Sequence, residues 1–409
     1  MNASEVAERA YRTAKNEVFS SVARRLTEVT NVVEGEAATM SDYPMSRRRR
    51  LWLWRHGFQS RTDAFYDFDA HDPDRYLSDL QVQRTALING RWKAVFENKL
   101  VFHWLMGAFP SHRSTVYGLL ADGKLVPVDA PAASGRTAAS ALSAPISGGT
   151  VGETAKTRVE ATSTDAMGAL DATEATDASA WFDDHLAPGD RFVLKPVFGG
   201  FGNDVHICSK TNDGYVLDGE RTTAAEFDAF VAGLDDYLVS EFARQAAYAD
   251  AFYPETPNTL RIMTMWDVDR EEPFVPIATQ RIGTSKSAPL DNWSQGAVMS
   301  EIDVETGELG PAATKPAYGT DWHPTHPETG AQIEGVTIPG WEEIRDGMLE
   351  IAAGFDRTPY AGWDVVVTGE GEFTIIEGNN KPSIQAMQTY RPLLADPRVR
   401  RFYEHYDVI

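Results

Sequence analysis

A single cysteine, Cys208, stands in a chain of 409 residues, which excludes an internal disulfide framework and any cysteine-rich zinc site. That usage fits a reducing compartment, so a cytoplasmic location is the expectation. No apolar run approaches the roughly 18 residues that span a bilayer, so membrane insertion is not expected. The first residues, MNASEVAERAYRTAKNEVF, are spaced as an amphipathic helix and lack the apolar stretch of a signal peptide. Positive charge is also scarce, with 38 Lys and Arg against 60 Asp and Glu and a net charge of −22. Nucleic-acid affinity rests on neutralising phosphates, so such a chain is not expected to bind nucleic acid. Neither a GK[ST] phosphate loop nor a GxGxxG fingerprint is present.

The acid is unevenly placed. Residues 1–128 hold 18 Lys and Arg against 15 Asp and Glu, and residues 129–409 hold 20 against 45. Acidity of this kind, spread over loops with small residues, is similar to adaptation to high salt. From Ala130 to Ala180 the chain is mostly Ala, Ser, Thr, Gly and acid without one aromatic residue, too little apolar surface to offset ordering entropy. A flexible insertion over 130–180 is expected. Residues 1–40 carry Val6, Ala10, Val18, Val22, Leu26 and Val29 at helical spacing, and residues 76–108 read as helical with aromatic core positions. Between them lies Arg47-Arg48-Arg49-Arg50, followed by LWLWRHGF. A basic tetrad beside two tryptophans could touch a membrane surface or an anionic partner, but the apolar stretch is too short to anchor the chain, so the arginines are expected to be solvated and Trp52 and Trp54 to be core. After residue 180, short strands alternate with Gly/Asp turns, and WEEIRDGMLEIAAG (341–354) reads as a helix.

The most informative segment is GWDVVVTGEGEFTIIEGNN. WDVVVT and FTIIEGN are β-rich runs joined by Gly369-Glu370-Gly371-Glu372, the pattern of a hairpin. Pairing of Thr368 with Phe373 would set Asp364 directly opposite Glu377, and strand periodicity puts Asn379 on the face of Glu377. Two carboxylates facing across a ladder repel one another. Two carboxylates and an amide oxygen on one face are donors for a hard cation, and Mg²⁺ held in this way commonly also holds phosphates.

Upstream, the strand Arg191–Val197 presents Lys195 and opens into Gly199-Gly200-Phe201-Gly202-Asn203. Glycines at Gly199, Gly200 and Gly202 let backbone N–H groups close on an anion, beside a lysine charge. His323 and His326 in WHPTHP have ligand-like spacing, but the flanking prolines make this a loop with no further Cys or His near in sequence, so a metal site is not expected there. Lys381 reads as a solvated turn residue.

A lysine-and-glycine phosphate clamp, followed much later by an acidic pair and an Asn, resembles the ATP-grasp superfamily over most of residues 90–390. Within it, the segments PNTLRIMT (257–264), ATQRIG (278–283), PLDNWSQGAV (289–298), HPETG (326–330), IPGWEEI (338–344) and GWDVVVT with EGNN resemble the sugar-transfer-associated branch, related to α-L-glutamate ligases. The resemblance implies an α+β fold of two lobes clasping ATP, preceded by a helical N-terminal region. Its expected divisions are a helical region over 1–95, a small lobe over 96–240 with the insertion 130–180, and a large lobe with the Mg²⁺ site over 241–409. It implies that Lys99, Lys195, Gly199, Gly200 and Gly202 hold the nucleotide phosphates. By the same resemblance, the backbone at Ser240, Glu241 and Phe242 recognises adenine, and Asp364, Glu377 and Asn379 bind Mg²⁺. Arg261, Arg281 and Asn292 match positions that face the γ-phosphate and acyl group in the glutamate-ligase relatives. Two departures stand out: the insertion lengthens the small lobe, and SQGAV stands where that branch more often has a double glycine.

The implied activity is an ATP- and Mg²⁺-dependent carboxylate–amine ligase working through an acyl phosphate, in glycan or amino-acid conjugate synthesis, on small-molecule carboxylate and amine or sugar substrates. Two rivals share the nucleotide site: a kinase of a sugar hydroxyl, and a non-catalytic ATP-binding module associated with glycan synthesis. Neither the carboxylate, the nucleophile nor the oligomeric state is written in these residues.

Overall fold

Alternation along RFVLKP sets the first layer: Phe192 and Leu194 are fully buried, whereas Val193 and Lys195 on the opposite face are only partly covered. The computed structural model describes residues 25–128, 175–199, 204–318 and 321–409. Its first sheet comprises β1 (Val116–Ala121), β2 (Lys124–Pro127), β3 (Thr176–Asp177), β4 (Arg191–Pro196), β5 (His206–Lys210), β6 (Gly214–Leu217), β7 (Glu220–Thr223) and β8 (Tyr237–Glu241). The strands pair in the order β3-β2-β1-β8-β4-β5-β6-β7, antiparallel throughout. Two helices cover one face. Ala178–His185 is capped by the Asp177 carboxylate, Ala224–Ala232 by a Thr223–Glu226 capping box, and they bring Phe182, Phe227 and Val231 onto Phe192, Leu194 and Val239.

The second sheet comprises β9 (Leu260–Asp267), β10 (Glu272–Phe274), β11 (Ala278–Ile282), β12 (Val298–Ile302), β13 (Leu309–Thr314), β14 (Trp322–His323), β15 (Tyr360–Val367) and β16 (Phe373–Asn379). Its order is β14-β13-β12-β11-β9-β15-β16, with β10 paired to β9. The helix Trp341–Gly354 lays Ile344, Met348 and Ile351 on one face, against Ile262, Ala278, Val298 and Ile302. On the other face the C-terminal helix Pro397–His405 covers Met263, Met265 and Tyr360 with Val399, Phe402 and Tyr403. Arg261 shares the face of Met263 and Met265 by strand alternation, so the charged site occupies the part of that face the C-terminal helix leaves.

The two sheets meet through residues 94–106. Asn98 is extended and its side chain caps the helix Lys99–Leu105. Leu100 packs on the first sheet with Val116, Leu119 and Leu238, while Phe96, Phe102 and Met106 enter the core under the second. There Phe96, Phe102 and Phe355 surround the fully buried Trp363, whose ring N–H donates to Thr264 Oγ1 at 2.8 Å. Gly378 makes this packing possible. A Cβ at that position would lie 2.6 Å from Phe96 and 2.8 Å from Phe102.

Several expectations need correction. The segment 76–108 is helical as read but broken, into Asp79–Thr85, a 3₁₀ turn at Gly90–Lys93, Ala94–Glu97 and Lys99–Leu105. The chain turns at Gly90 through a φ of +52°, and the extended Asn98 separates the last two helices. Of the insertion expected over 130–180, residues 130–174 lie outside the described residues. Its end is structured, because Thr176–Asp177 pairs with β2 and Ala178, buried, opens a helix. Trp52 is half-buried against Phe68, but Trp54 is 47% exposed and is not core. Of the apolar stripe in residues 1–40, Val6, Ala10, Val18 and Val22 are outside the described residues, and Leu26 and Val29 are exposed. Residues 77–89 are sewn to the second sheet: Asn89 donates to Tyr360 O (2.6 Å) and Asn380 Oδ1 (2.8 Å), and Leu77 N donates to Gln388 (2.8 Å).

Candidate active site

The β15–β16 hairpin does place Asp364 opposite Glu377, but not through the expected turn register. Val367, not Thr368, pairs with Phe373, and Val365 with Ile375. A bulge then leaves Ile376 without a partner and restores the Asp364–Glu377 pair, with Gly362 opposite Asn379. The freed Ile376 carbonyl accepts from Lys195 Nζ at 3.3 Å. At the other end, Gly371 N–H donates to Pro339 O (3.2 Å), and Gly340 must lack a side chain because a Cβ there would strike Gly371.

On the neighbouring strand Arg261 lies directly across from Asp364. It grips both carboxylate oxygens, Nε to Oδ1 at 2.6 Å and Nη2 to Oδ2 at 3.1 Å, the paired geometry that Arg favours with carboxylates. Arg281, one strand further, reaches Asp364 Oδ1 at 3.2 Å and Asp291 Oδ2 at 3.6 Å. Thr259 organises this contact: its N–H and hydroxyl donate to Asp291 at 2.8 and 2.5 Å, and its oxygen accepts from Arg281 Nε and Nη2. Burial alone would raise the Asp364 carboxyl, but the charges and hydrogen bonds of Arg261 and Arg281 overcome it and hold the group below the ordinary carboxylate range. For Arg281, burial is likewise outweighed by Asp291, Asp364 and Glu377.

Lys99 is buried at the start of its helix, where its N–H donates to Val197 O. Its ammonium lies 3.3 Å from Glu377 Oε1 and donates to Gly199 O at 2.9 Å. Lys195 is pushed down to about 8, chiefly by burial and also by the Lys99 charge, with Glu377 partly opposing both. Gly199 takes a φ of +121°, open to glycine. Gly200 and Gly202 lie outside the described residues.

Ser240 and Glu241 end β8, with Ser240 opposite Val193 and Glu241 opposite Phe192. The Glu241 N–H is engaged by Thr115 O at 3.0 Å, and the Arg191 guanidinium sits 3.7 Å over the Phe242 ring. A surface cavity of about 300 Å³ lies beside this segment, lined by Tyr117, Trp181, Arg191, Glu241, Phe242 and Arg244 among others. Asn292 adjoins Asp291 and donates to Gln295 at 3.4 Å. His326 has both ring nitrogens engaged, Nε2 by Gly283 O and Nδ1 by the N–H groups of Glu328 and Thr329.

Sequence reasoning assigned no role to Thr259, Asp291 or the Ile376 carbonyl. Asp291 was within sight, adjoining Asn292 in PLDNW. The other two depend on pairings between distant strands.

Four cations, Lys99, Lys195, Arg261 and Arg281, thus converge on three carboxylates, Asp291, Asp364 and Glu377. The surplus positive charge suits a polyanion. Among the described residues no group of three or more His, Cys, Asp or Glu side chains is arranged to hold a metal. The set Asp364, Glu377 and Asn379 fits Mg²⁺ in donor type and register, as two carboxylates and an amide on one face. Each Asp364 oxygen already accepts from arginine, so a metal there requires the arginines to find other acceptors, such as phosphate oxygens.

Two units of helix and antiparallel sheet thus carry this cationic and carboxylate cluster where they meet. The chain belongs to the sugar-transfer associated ATP-grasp family, whose sequence pattern matches residues 163–398. No curated protein matches it significantly. Solved structures resemble it distantly. The D-alanine–D-alanine ligase of Coxiella burnetii is 12% identical over 80% of this chain and 60% of its own, with a TM-score of 0.33. The VanG D-Ala:D-Ser ligase of Enterococcus faecalis is 10% identical over 55% of this chain and 52% of its own, at 0.28. The ATP-grasp ligase PsnB, complexed with a minimal precursor, is 13% identical over 56% of this chain and 50% of its own, at 0.26. The chain therefore spans little more than half the length of the structures it matches.

Proposed function

We propose that the protein is an ATP- and Mg²⁺-dependent carboxylate–amine ligase. The observation that carries this reading is the sharing of Asp364 by Arg261 and Arg281, opposite a Glu377 that faces Lys99. Such a site holds its own counter-ions until a nucleotide triphosphate replaces them.

Lys99 and Lys195 bind the phosphates, aided by backbone N–H groups at Gly199 and, on the family pattern, at Gly200 and Gly202. The base lies at the Ser240–Phe242 segment, where Glu241 N–H is already committed to Thr115. Asp364, Glu377 and Asn379 would hold Mg²⁺, which would supply charge compensation on the phosphate oxygens. As the nucleotide enters, Arg261 and Arg281 turn from Asp364 to the γ-phosphoryl group. A substrate carboxylate oxygen then bonds to the γ-phosphorus while the bridging P–O bond breaks and ADP leaves. An amine attacks the resulting acyl carbonyl, inorganic phosphate departs and an amide forms. The arginines balance the negative charge that develops at each step, and Asn292, beside Asp291, orients the acyl group. The substrates fall in glycan or amino-acid conjugate synthesis. In lobe terms, residues 96–240 supply the lysines and 241–409 the metal donors.

Mass spectrometry of products from the protein, Mg-ATP and pooled small metabolites tests the reading. An amide with ADP and inorganic phosphate is expected. A stable phosphate ester with ADP would identify a kinase instead, and no ADP release across a broad acceptor set would identify a binding module.

A further inference from the structure

The helix Arg47–Arg55 divides its side chains sharply between two faces. Arg49, Arg50, Trp52 and Leu53 turn inward: Arg49 pairs with Asp63 at 2.7 Å and lies over the Trp52 ring, and Arg50 donates to Ser60 Oγ at 2.9 Å. Leu53 is fully buried with Phe58, Tyr66 and Tyr76. The outward face carries Arg47, Arg48, Leu51, Trp54 and Arg55, all exposed, at the i, i+1, i+4, i+7, i+8 spacing of one helical side. Leu51 is 56% and Trp54 47% exposed.

The side chains of these three arginines form no ion pair or hydrogen bond among the described residues, although the chain holds 60 carboxylate side chains. A groove of about 750 Å³ runs along the same helix, lined by Arg48, Leu51, Trp52, Arg55 and His56. Just upstream, Leu26, Val29, Val33 and Met40 add further exposed apolar side chains, and Arg50 Nη2 ties the Met40 and Tyr43 carbonyls to this helix.

We propose that this face docks the protein on an anionic lipid surface. The chemistry selects that partner in two ways. Arginines flanking a leucine and a tryptophan match a phosphate-rich headgroup layer above an acyl boundary, where Trp prefers to lie. A nucleic acid would use the arginines and stack on Trp54, but would leave Leu51 in water. The chain's net charge of −22 does not forbid the contact, because charges farther than roughly 8 Å are screened at physiological salt and a flat surface meets only this patch. Docking here inserts no helix across the bilayer, in keeping with the absence among the described residues of any helix long and apolar enough to cross one.

Co-sedimentation of the full chain with phosphatidylcholine vesicles, with and without phosphatidylglycerol, tests the proposal independently of the reaction the site performs. Binding is expected only with phosphatidylglycerol, and it should fall steeply as salt rises. Each arginine near an anionic surface is worth roughly fivefold in affinity, so Arg47→Gln, Arg48→Gln and Arg55→Gln together should weaken binding by roughly a hundredfold. Leu51→Ser with Trp54→Ser should weaken it with the salt dependence retained. All five positions are exposed, so unchanged melting curves are expected to accompany both losses. Equal binding to both vesicle types, no binding to either, or full binding by the arginine variant would overturn the proposal. So would binding of a single-stranded oligonucleotide that depends on these arginines, or a wild-type dimer dissociated by the Leu51 and Trp54 changes, either of which would assign the face to another partner.

Discussion

Asp364 stands directly across the β15–β16 pair from Glu377, yet each carboxylate answers to a different lobe: Asp364 to Arg261 and Arg281 of the second sheet, Glu377 to Lys99 beside the first. Opposed like charges would repel, and the two sets of cations relieve that repulsion. The pair is therefore a joint between the lobes as well as a candidate metal seat.

This division separates two substitutions that look equivalent in the sequence. Asp364→Asn leaves Arg261 and Arg281 buried without their shared counter-ion, and breaking a buried pair in this way costs about 3–5 kcal/mol. Denaturant titration should show that loss alongside loss of Mg²⁺-dependent turnover. Glu377 is partly exposed although its partner Lys99 is buried, so Glu377→Gln should remove turnover with a smaller stability loss than Asp364→Asn. Equal stability in the two variants would contradict the arrangement.

Lys195 gives a pH signature. Its folded pKa of about 8 lies below the usual 10.5, so between these values the unfolded chain binds the proton and the folded chain does not. Stability from this group therefore rises with pH across that window. Nucleotide affinity moves the other way, since the phosphate-binding charge is lost above about 8. Calorimetric titration of a non-hydrolysable ATP analogue should show affinity falling through that pH in the wild type. In Lys195→Arg, which stays charged, the fall should be absent.

Gly378 can be tested apart from the chemistry. A methyl group there meets Phe96 and Phe102 within 3 Å, so Gly378→Ala should cost about 1–3 kcal/mol by overpacking. A shift in urea midpoint with an unchanged slope is the expected result.

How far the residues announced this arrangement depends on the range of the contacts involved. The Asp364–Glu377 apposition was legible because a hairpin is local and strand periodicity is short. The bulge at Ile376 was not, since the one-residue slip is set by anchoring of the Gly371 turn on Pro339 and by packing around Gly378. Arg261 and Arg281 were singled out through the family resemblance, but their grip on Asp364 follows from β9 pairing with β15 far along the chain. Phe96 and Phe102 read as core without revealing whose core. Trp54 was misplaced because an amphipathic pattern does not say which aromatic residue a neighbour covers.

The central claim is that Arg261 and Arg281 leave Asp364 when nucleotide binds, so that Asp364, Glu377 and Asn379 would be free to hold Mg²⁺. Titration of Mn²⁺, followed by its electron paramagnetic resonance signal with and without a non-hydrolysable ATP analogue, tests it most directly. One bound ion that depends on the analogue in the wild type, and is lost in Glu377→Gln, is the predicted result. Retention of that ion in the Glu377→Gln protein would contradict the account.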